Sequence, residues 1–235
     1  SRKSLEKFLP KESLWPWEEN EDWIVHGANM EMGREGSYAY RIGLMANQVK
    51  TLFGEMPDNL DDFVLASQIS QAEALKYFLE LFRTGQPKRT GIIWWNLIDG
   101  WPQFSDAVVD YYFEKKLAYE YIKLAQQPLL AAVREQEEGK PELVLVNDWG
   151  RNAEIQYYIK EWMTERVICE GRCMVGEGVN HLAWIPWDGG VKKCYLLQWE
   201  YGGKQIYSHY LAGKPPFSLS EYKELLKSVY RIPME

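Results

Sequence analysis

Residues Gly91–Tyr112 read GIIWWNLIDGWPQFSDAVVDYY, and the change of character halfway along this stretch decides the fold. Thr90 and Gly91 punctuate its start, and Ile92, Ile93, Trp94 and Trp95 follow without a polar break. A short run of branched and aromatic residues predicts a strand buried on both faces, as in a parallel sheet. Asn96, Asp99, Trp101, Gln103, Ser105 and Asp106 then crowd into the next residues. In a βα-barrel such groups collect at the C-terminal mouth of a strand, where small molecules bind. Flat aromatic faces beside amides and carboxylates suit a ring with apolar C–H faces and equatorial hydroxyls.

Side chains alternate along a strand, so Trp94 and Trp95 should point to opposite faces. Trp94 is expected in the core, where large aromatics contribute most packing. Trp95 is the last bulky residue before the loop and is expected to face the mouth. Asp99 also fits a turn with Gly100, the ordinary Asx role.

The flanks predict helices. Asn59 caps residues 59–83, Asp61 and Asp62 suit the first turn, and Gly85 and Pro87 end it. Phe63, Ile69, Ala72, Leu75, Phe78, Leu79 and Phe82 mark its apolar face. A second helix is expected near 113–126, which gives the α–β–α order of a barrel wall. Upstream, 38–53 carries Tyr40, Leu44, Val49 and Phe53 near one stripe, and 1–10 suggests a short helix capped by Ser4. Residues 11–37 hold Trp15, Trp17, Trp23 and His26 with no regular period, an aromatic loop lying over the mouth or anchored to the wall. His26 could reach a ligand or serve as a hydrogen-bonded structural residue.

Composition shifts at Pro128. ELVLVND, EIQYYIKEWM, RVICEGRCMV, HLAWIPW and KCYLLQWEY read as strands separated by turn signals at Gly139–Pro141, Asp148–Gly150, Gly176–Gly178, Asp188–Gly190 and Gly202–Gly203. That spacing indicates an antiparallel sandwich. Ser218 caps a last short helix, about 219–230.

The chain has 235 residues, 46% of them hydrophobic and 14% aromatic, with eleven Trp, which supports a real core rather than disorder. A formal charge of −7 and no dense Lys/Arg cluster disfavour nucleic acid. No apolar run reaches bilayer length, so no membrane partner is expected. No signal peptide is evident, although the chain starts at Ser1 without Met, so a leader could have been lost. Cys169, Cys173 and Cys194 form no pair of CxxC knuckles and only three His are present, so neither a metal nor another cofactor is expected. Free thiols lean towards a reducing, cytoplasmic setting.

WWNLIDGWPQFSDAVVDYYFEKKLAYEYIK, residues 94–123, resembles the eighth strand, following loop and eighth helix of glycoside hydrolase family 2 in its β-mannosidase-like branch. SRKSLEKFLP at the start, and Ser208–Phe217 near the end, resemble the same branch. The resemblance implies the C-terminal segment of a (β/α)8 TIM barrel over 1–127, an immunoglobulin-like antiparallel β-sandwich over 128–217 and a C-terminal helix over 218–235. It implies a retaining β-glycosidase of β-mannosidase or β-galactosidase type, with Trp95, Asn96, Asp99, Trp101 and His26 touching the sugar.

A retaining glycosidase needs two carboxyl groups about 5 Å apart. In the family these are Glu residues after strands four and seven, and neither position matches this chain. Glu19-Asn20-Glu21 superficially resembles the acid/base pair but has no strand before it. The chain is therefore expected to supply one wall of a sugar site and to be inactive alone. A lone barrel strand leaves unpaired edges, so self-association, or pairing with an N-terminal part of the same enzyme, is expected. A non-catalytic carbohydrate-binding module, with Trp184 and Trp187 in contact with sugar, and a purely structural module remain as alternatives; in the plainer reading those Trp belong to the sandwich core and edge.

Overall fold

A computed structural model describes residues 1–27, 37–135, 140–186 and 190–232. Trp187, the turns at Gly139 and Asp188–Gly189, and loop residues 28–36 lie outside the described residues, as does the side chain of Tyr40.

Two bodies of secondary structure pack against each other. The first is helical. Helix α1, Arg2–Leu5, is short and is capped by Ser1, whose Oγ accepts from the Ser4 amide at 3.3 Å. The cap expected at Ser4 is thus moved, because Ser4 is itself buried in the helical core. Within the region read as irregular, α2 spans Glu21–Val25. Asn20 caps it through the Asp22 amide and donates to the Ser13 and Pro16 carbonyls. That local capping explains Glu19-Asn20-Glu21 without chemistry.

Helix α3 spans Ser37–Phe53 and α4 spans Leu60–Thr84, with Asn59 Oδ1 accepting from the Asp62 amide as expected. Helix α5 is Leu117–Ala125, starting later than 113. The delay has a cause upstream: Asp110 Oδ1 accepts from the amides of Tyr112 and Glu114, and Phe113 sits at φ 65°, in the left-handed region that breaks a helix.

The second body is two antiparallel sheets. Strands β1 (Leu129–Glu135), β2 (Pro141–Asn147) and β5 (Gly178–Trp184) form one, in the order β1-β2-β5. Strands β3 (Ala153–Glu161), β4 (Val167–Val175), β6 (Lys193–Tyr201) and β7 (Lys204–Ala212) form the other, in the order β4-β3-β6-β7. The reading missed β1, whose LLAAV run has no alternation, and β7, named only for its resemblance. Leu129, Leu143, Ile155, Ile159, Leu197 and Trp199 meet between the sheets, and the Trp199 indole donates to the Leu129 carbonyl at 3.0 Å. Strand β2 is buried on both faces because α4 lies against its outer side. Gly171 on β4 faces Tyr157 on β3, and a Cβ there would come 2.6 Å from the phenol oxygen.

The last helix, α6 (Leu219–Leu225), continues as a π-helical turn over Leu226–Tyr230. Tyr222, Leu225 and Leu226 return to the helical core. No helix among the described residues is long and apolar enough to cross a membrane.

The segment from Gly91 to Trp95 departs from expectation. It has no regular secondary structure and no backbone hydrogen bond involves it among the described residues, so it is not a sheet strand. Nor is it buried on both faces: Ile93 is 101% exposed and Trp95 78%. Ile92 and Trp94 pack on the helical core. The alternation is as read; the second face lacks a neighbouring strand to cover it.

Candidate functional site

Beyond Trp95 the chain folds into a loop that returns to α5. Two buried carboxylates organise it. Asp99 Oδ1 accepts from Gln103 Nε2 at 2.8 Å and from the Ser105 hydroxyl. Lys116 Nζ lies 3.8 Å from Asp99 Oδ2 and donates to the Ser105 carbonyl at 3.1 Å. Asp110 holds the turn before α5. Burial pulls the Lys116 pKa down, against the opposing pull of Asp99, Asp110 and Asp106. The two arms of the loop are joined by Val108 N to Asn96 O at 3.2 Å and Val109 N to Leu97 O at 3.0 Å.

The aromatic region before α3 anchors this loop. Trp23 is buried and stacks on Phe104, with ring centroids 4.2 Å apart and planes 13° apart. Trp15 and Trp17 pack around Phe63 of α4. His26 Nδ1 lies 2.8 Å from the Pro102 carbonyl, which accepts its proton. Its ring sits between Phe8 at 4.6 Å and Trp101 at 5.6 Å. These contacts favour anchorage to the wall and the structural role for His26.

A cleft of about 290 Å³ opens between the loop and the helices. Trp95, Gln103 and Asp106 line it from one side, Gln68 and Gln71 of α4 from another. Asp106 is held by Arg41, and its carbonyl accepts from Gln71 Nε2 at 2.6 Å. Of the five residues expected to touch a ligand, Trp95 lines this cleft; Asn96, Asp99, Trp101 and His26 do not. Asp99 needs correction: its side chain has no exposed surface, because the loop closes over it to use it as a hydrogen-bond acceptor. Trp101 lies beside His26, partly exposed. Asn96 is half-buried, with Oδ1 buried and unpartnered among the described residues. Gln68 and Gln71 were missed because, on a helix, they read as the polar side of an amphipathic pattern. The cleft thus offers a flat indole beside amides and a charged pair, a set able to hold a polyhydroxylated ring.

No family model matches the chain. Over 122 residues it is 30% identical to an exo-β-D-glucosaminidase of Arthroderma benhamiae, a match covering 50% of this chain and 13% of that protein. Over 78 residues it is 35% identical to β-mannosidase B of Thermothelomyces thermophilus, covering 31% and 9%. The crystal structure of a β-D-mannosidase from Dictyoglomus thermophilum superposes with a TM-score of 0.75 at 19% identity, over 92% of this chain and 26% of that one. The chain matches the C-terminal region of glycoside hydrolase family 2. The exo-chitosanase CsxA of Amycolatopsis orientalis, solved with PNP-β-D-glucosamine, overlays the chain with a TM-score of 0.69 at 17% identity, over 94% of this chain and 29% of its own. At such identities the overlays speak for a shared fold. The chain spans only part of these relatives, 13% of the glucosaminidase and 9% of the mannosidase.

Proposed function

We propose that the chain is the C-terminal part of a retaining β-glycosidase acting on β-mannosides or β-glucosaminides, and that it supplies one wall of the sugar site. Residues 1–127 are the last part of a (β/α)8 barrel, 128–217 an immunoglobulin-like sandwich and 218–235 its C-terminal extension. The observation that carries this reading is Trp95. It ends a segment whose Ile92 and Trp94 pack on the helical core, and its exposed ring borders a polar cleft. A barrel stave has one face on the helices and one on the axis.

Catalysis requires two carboxyl groups free to serve as nucleophile and acid/base. The three acids near Trp95 are otherwise engaged: Asp99 is buried, Asp106 is paired with Arg41, and Asp110 accepts two backbone amides. The chain therefore contributes stacking and positioning, and both catalytic carboxylates come from elsewhere in the enzyme. Trp95 forms the platform, and Gln103, Gln68 and Gln71 offer hydrogen bonds to hydroxyls.

The test uses the 235-residue chain with p-nitrophenyl β-mannoside and p-nitrophenyl β-glucosaminide. No p-nitrophenol is released, while saturation-transfer NMR detects binding that Trp95→Ala removes. Turnover that Asp106→Asn abolishes would overturn the non-catalytic assignment, and binding indifferent to Trp95→Ala would overturn the site.

A further inference from the structure

The sandwich carries a second aromatic surface, distant in sequence from the cleft. Trp184 closes edge strand β5 and is 56% exposed, although a large aromatic in a sandwich is normally spent on the core. It does not stand alone. Arg134 on β1, Glu142 on β2 and Trp184 on β5 are direct cross-strand partners, forming one row across the sheet. A register shift at Leu143/Val144 pairs Ala183 with Leu143 and His181 with Val144. One residue, Leu182, is thereby left over on β5. Such a bulge brings residues three apart onto one face, and His181 accordingly lies beside Trp184, with ring centroids 5.0 Å apart.

The polar part of the row is fixed from beneath. Glu142 is buried and receives Arg134 Nε at 2.6 Å and His181 Nδ1 at 2.7 Å. Arg134 also reaches the Thr84 carbonyl at the end of α4 at 3.3 Å. The carboxylate accepts a hydrogen bond from Nδ1–H, which leaves Nε2 as the remaining hydrogen-bonding atom of a ring whose side chain is 43% exposed. An exposed indole face beside a pre-oriented imidazole and guanidinium matches a pyranose ring. The apolar C–H face stacks on Trp184, and hydroxyls meet His181 and Arg134. A bulge and a buried carboxylate are more scaffolding than a surface aromatic needs for solubility.

We propose that Trp184, His181 and Arg134 form a secondary saccharide-binding site on the sandwich, taking one sugar ring of a β-linked mannose or glucosamine oligosaccharide. The choice of ligand class rests on the glycosidase reading; the site itself does not depend on the cleft at Trp95.

The experiment follows indole N–H resonances of the ¹⁵N-labelled chain, with Trp184 and Trp95 assigned from Trp184→Phe and Trp95→Phe. β-1,4-mannohexaose and the β-1,4-glucosamine hexamer are the probes. The Trp184 resonance is expected to shift saturably with at least one hexamer. Trp184→Ala removes that binding, and His181→Ala weakens it about tenfold, a difference easily read from a titration. Trp95→Ala leaves it unchanged. A Trp184 signal unmoved by both hexamers, in a spectrum that otherwise shows folded protein, would overturn the proposal, even if Trp95 responds. Movement at Trp184 alone supports this site and counts against the cleft.

Discussion

Glu73 Oε1 lies 2.5 Å from Nε2 of His209, a contact between α4 and strand β7 that joins the helical body to the sandwich. Tyr222 donates to Glu73, Tyr230 donates to His209 Nδ1 at 2.6 Å, and Tyr121 and Tyr222 are 2.8 Å apart. Lys76 Nζ donates to the His209 carbonyl at 2.6 Å. Burial alone would raise the Glu73 pKa; His209, Lys76 and Tyr222 outweigh it and bring it down to about 2. Burial lowers the His209 pKa, against the opposing pull of Glu73, and Nε2 donates to the carboxylate.

Glu73→Gln is expected to cost about 3 kcal/mol at pH 7, the scale for breaking a buried charged network. A carboxylate with a depressed folded pKa stabilises above its unfolded value and loses that contribution as pH falls. The stability gap between wild type and variant should therefore close between pH 4.5 and about 2. Urea denaturation at pH 7 and across this acid range measures it; a gap independent of pH would refute the assignment.

Glu80 runs the other way. Burial raises its pKa to about 7, with Lys76 at 3.4 Å only partly offsetting this. A raised carboxylate destabilises as pH rises from the unfolded value to the folded one. Relative to Glu80→Gln, the wild type should lose stability between pH 4.5 and about 7. Thermal melts of both proteins across that window check the sign, and a gain for wild type would contradict it.

Asp99 and Trp95 separate structure from binding. Asp99→Ala leaves Gln103 and Ser105 without their acceptor and Lys116 without its neighbouring carboxylate, and is expected to destabilise by about 2 kcal/mol. Trp95→Ala removes an exposed ring and should change stability by less than about 0.5 kcal/mol. Denaturant midpoints decide between them; equal losses would mean that Trp95 is packed.

The bare edge at Gly91–Trp95 predicts association. Unpaired backbone flanked by exposed Ile93 and Trp95 is a template for pairing with another segment. The isolated chain should sediment as a concentration-dependent oligomer, and Ile93→Lys should shift it to monomer without lowering its melting temperature. A monomer at high concentration would exclude the idea.

Much of this was legible locally. The Asn59 cap and the period of α4, the alternating strands β3 and β6, and the opposite faces of Trp94 and Trp95 are properties of adjacent residues. Strand β1 was not, because LLAAV is compatible with either period until β2 pairs with it. Asp99 was misread because its composition suits a ligand site, whereas its burial depends on a loop folding over it from six residues and more away.

The sequence by itself determined the helical and strand periods, the capping residues and the polar turn after the tryptophan pair, since each arises from interactions within a turn or a strand. Only the tertiary structure decided which faces are covered. Glu73 meets His209 across 136 residues of chain, Trp184 stays at the surface, and the outer side of the 91–95 segment lies bare. The reason is that burial belongs to pairs of distant segments, and no local pattern says which partner will arrive.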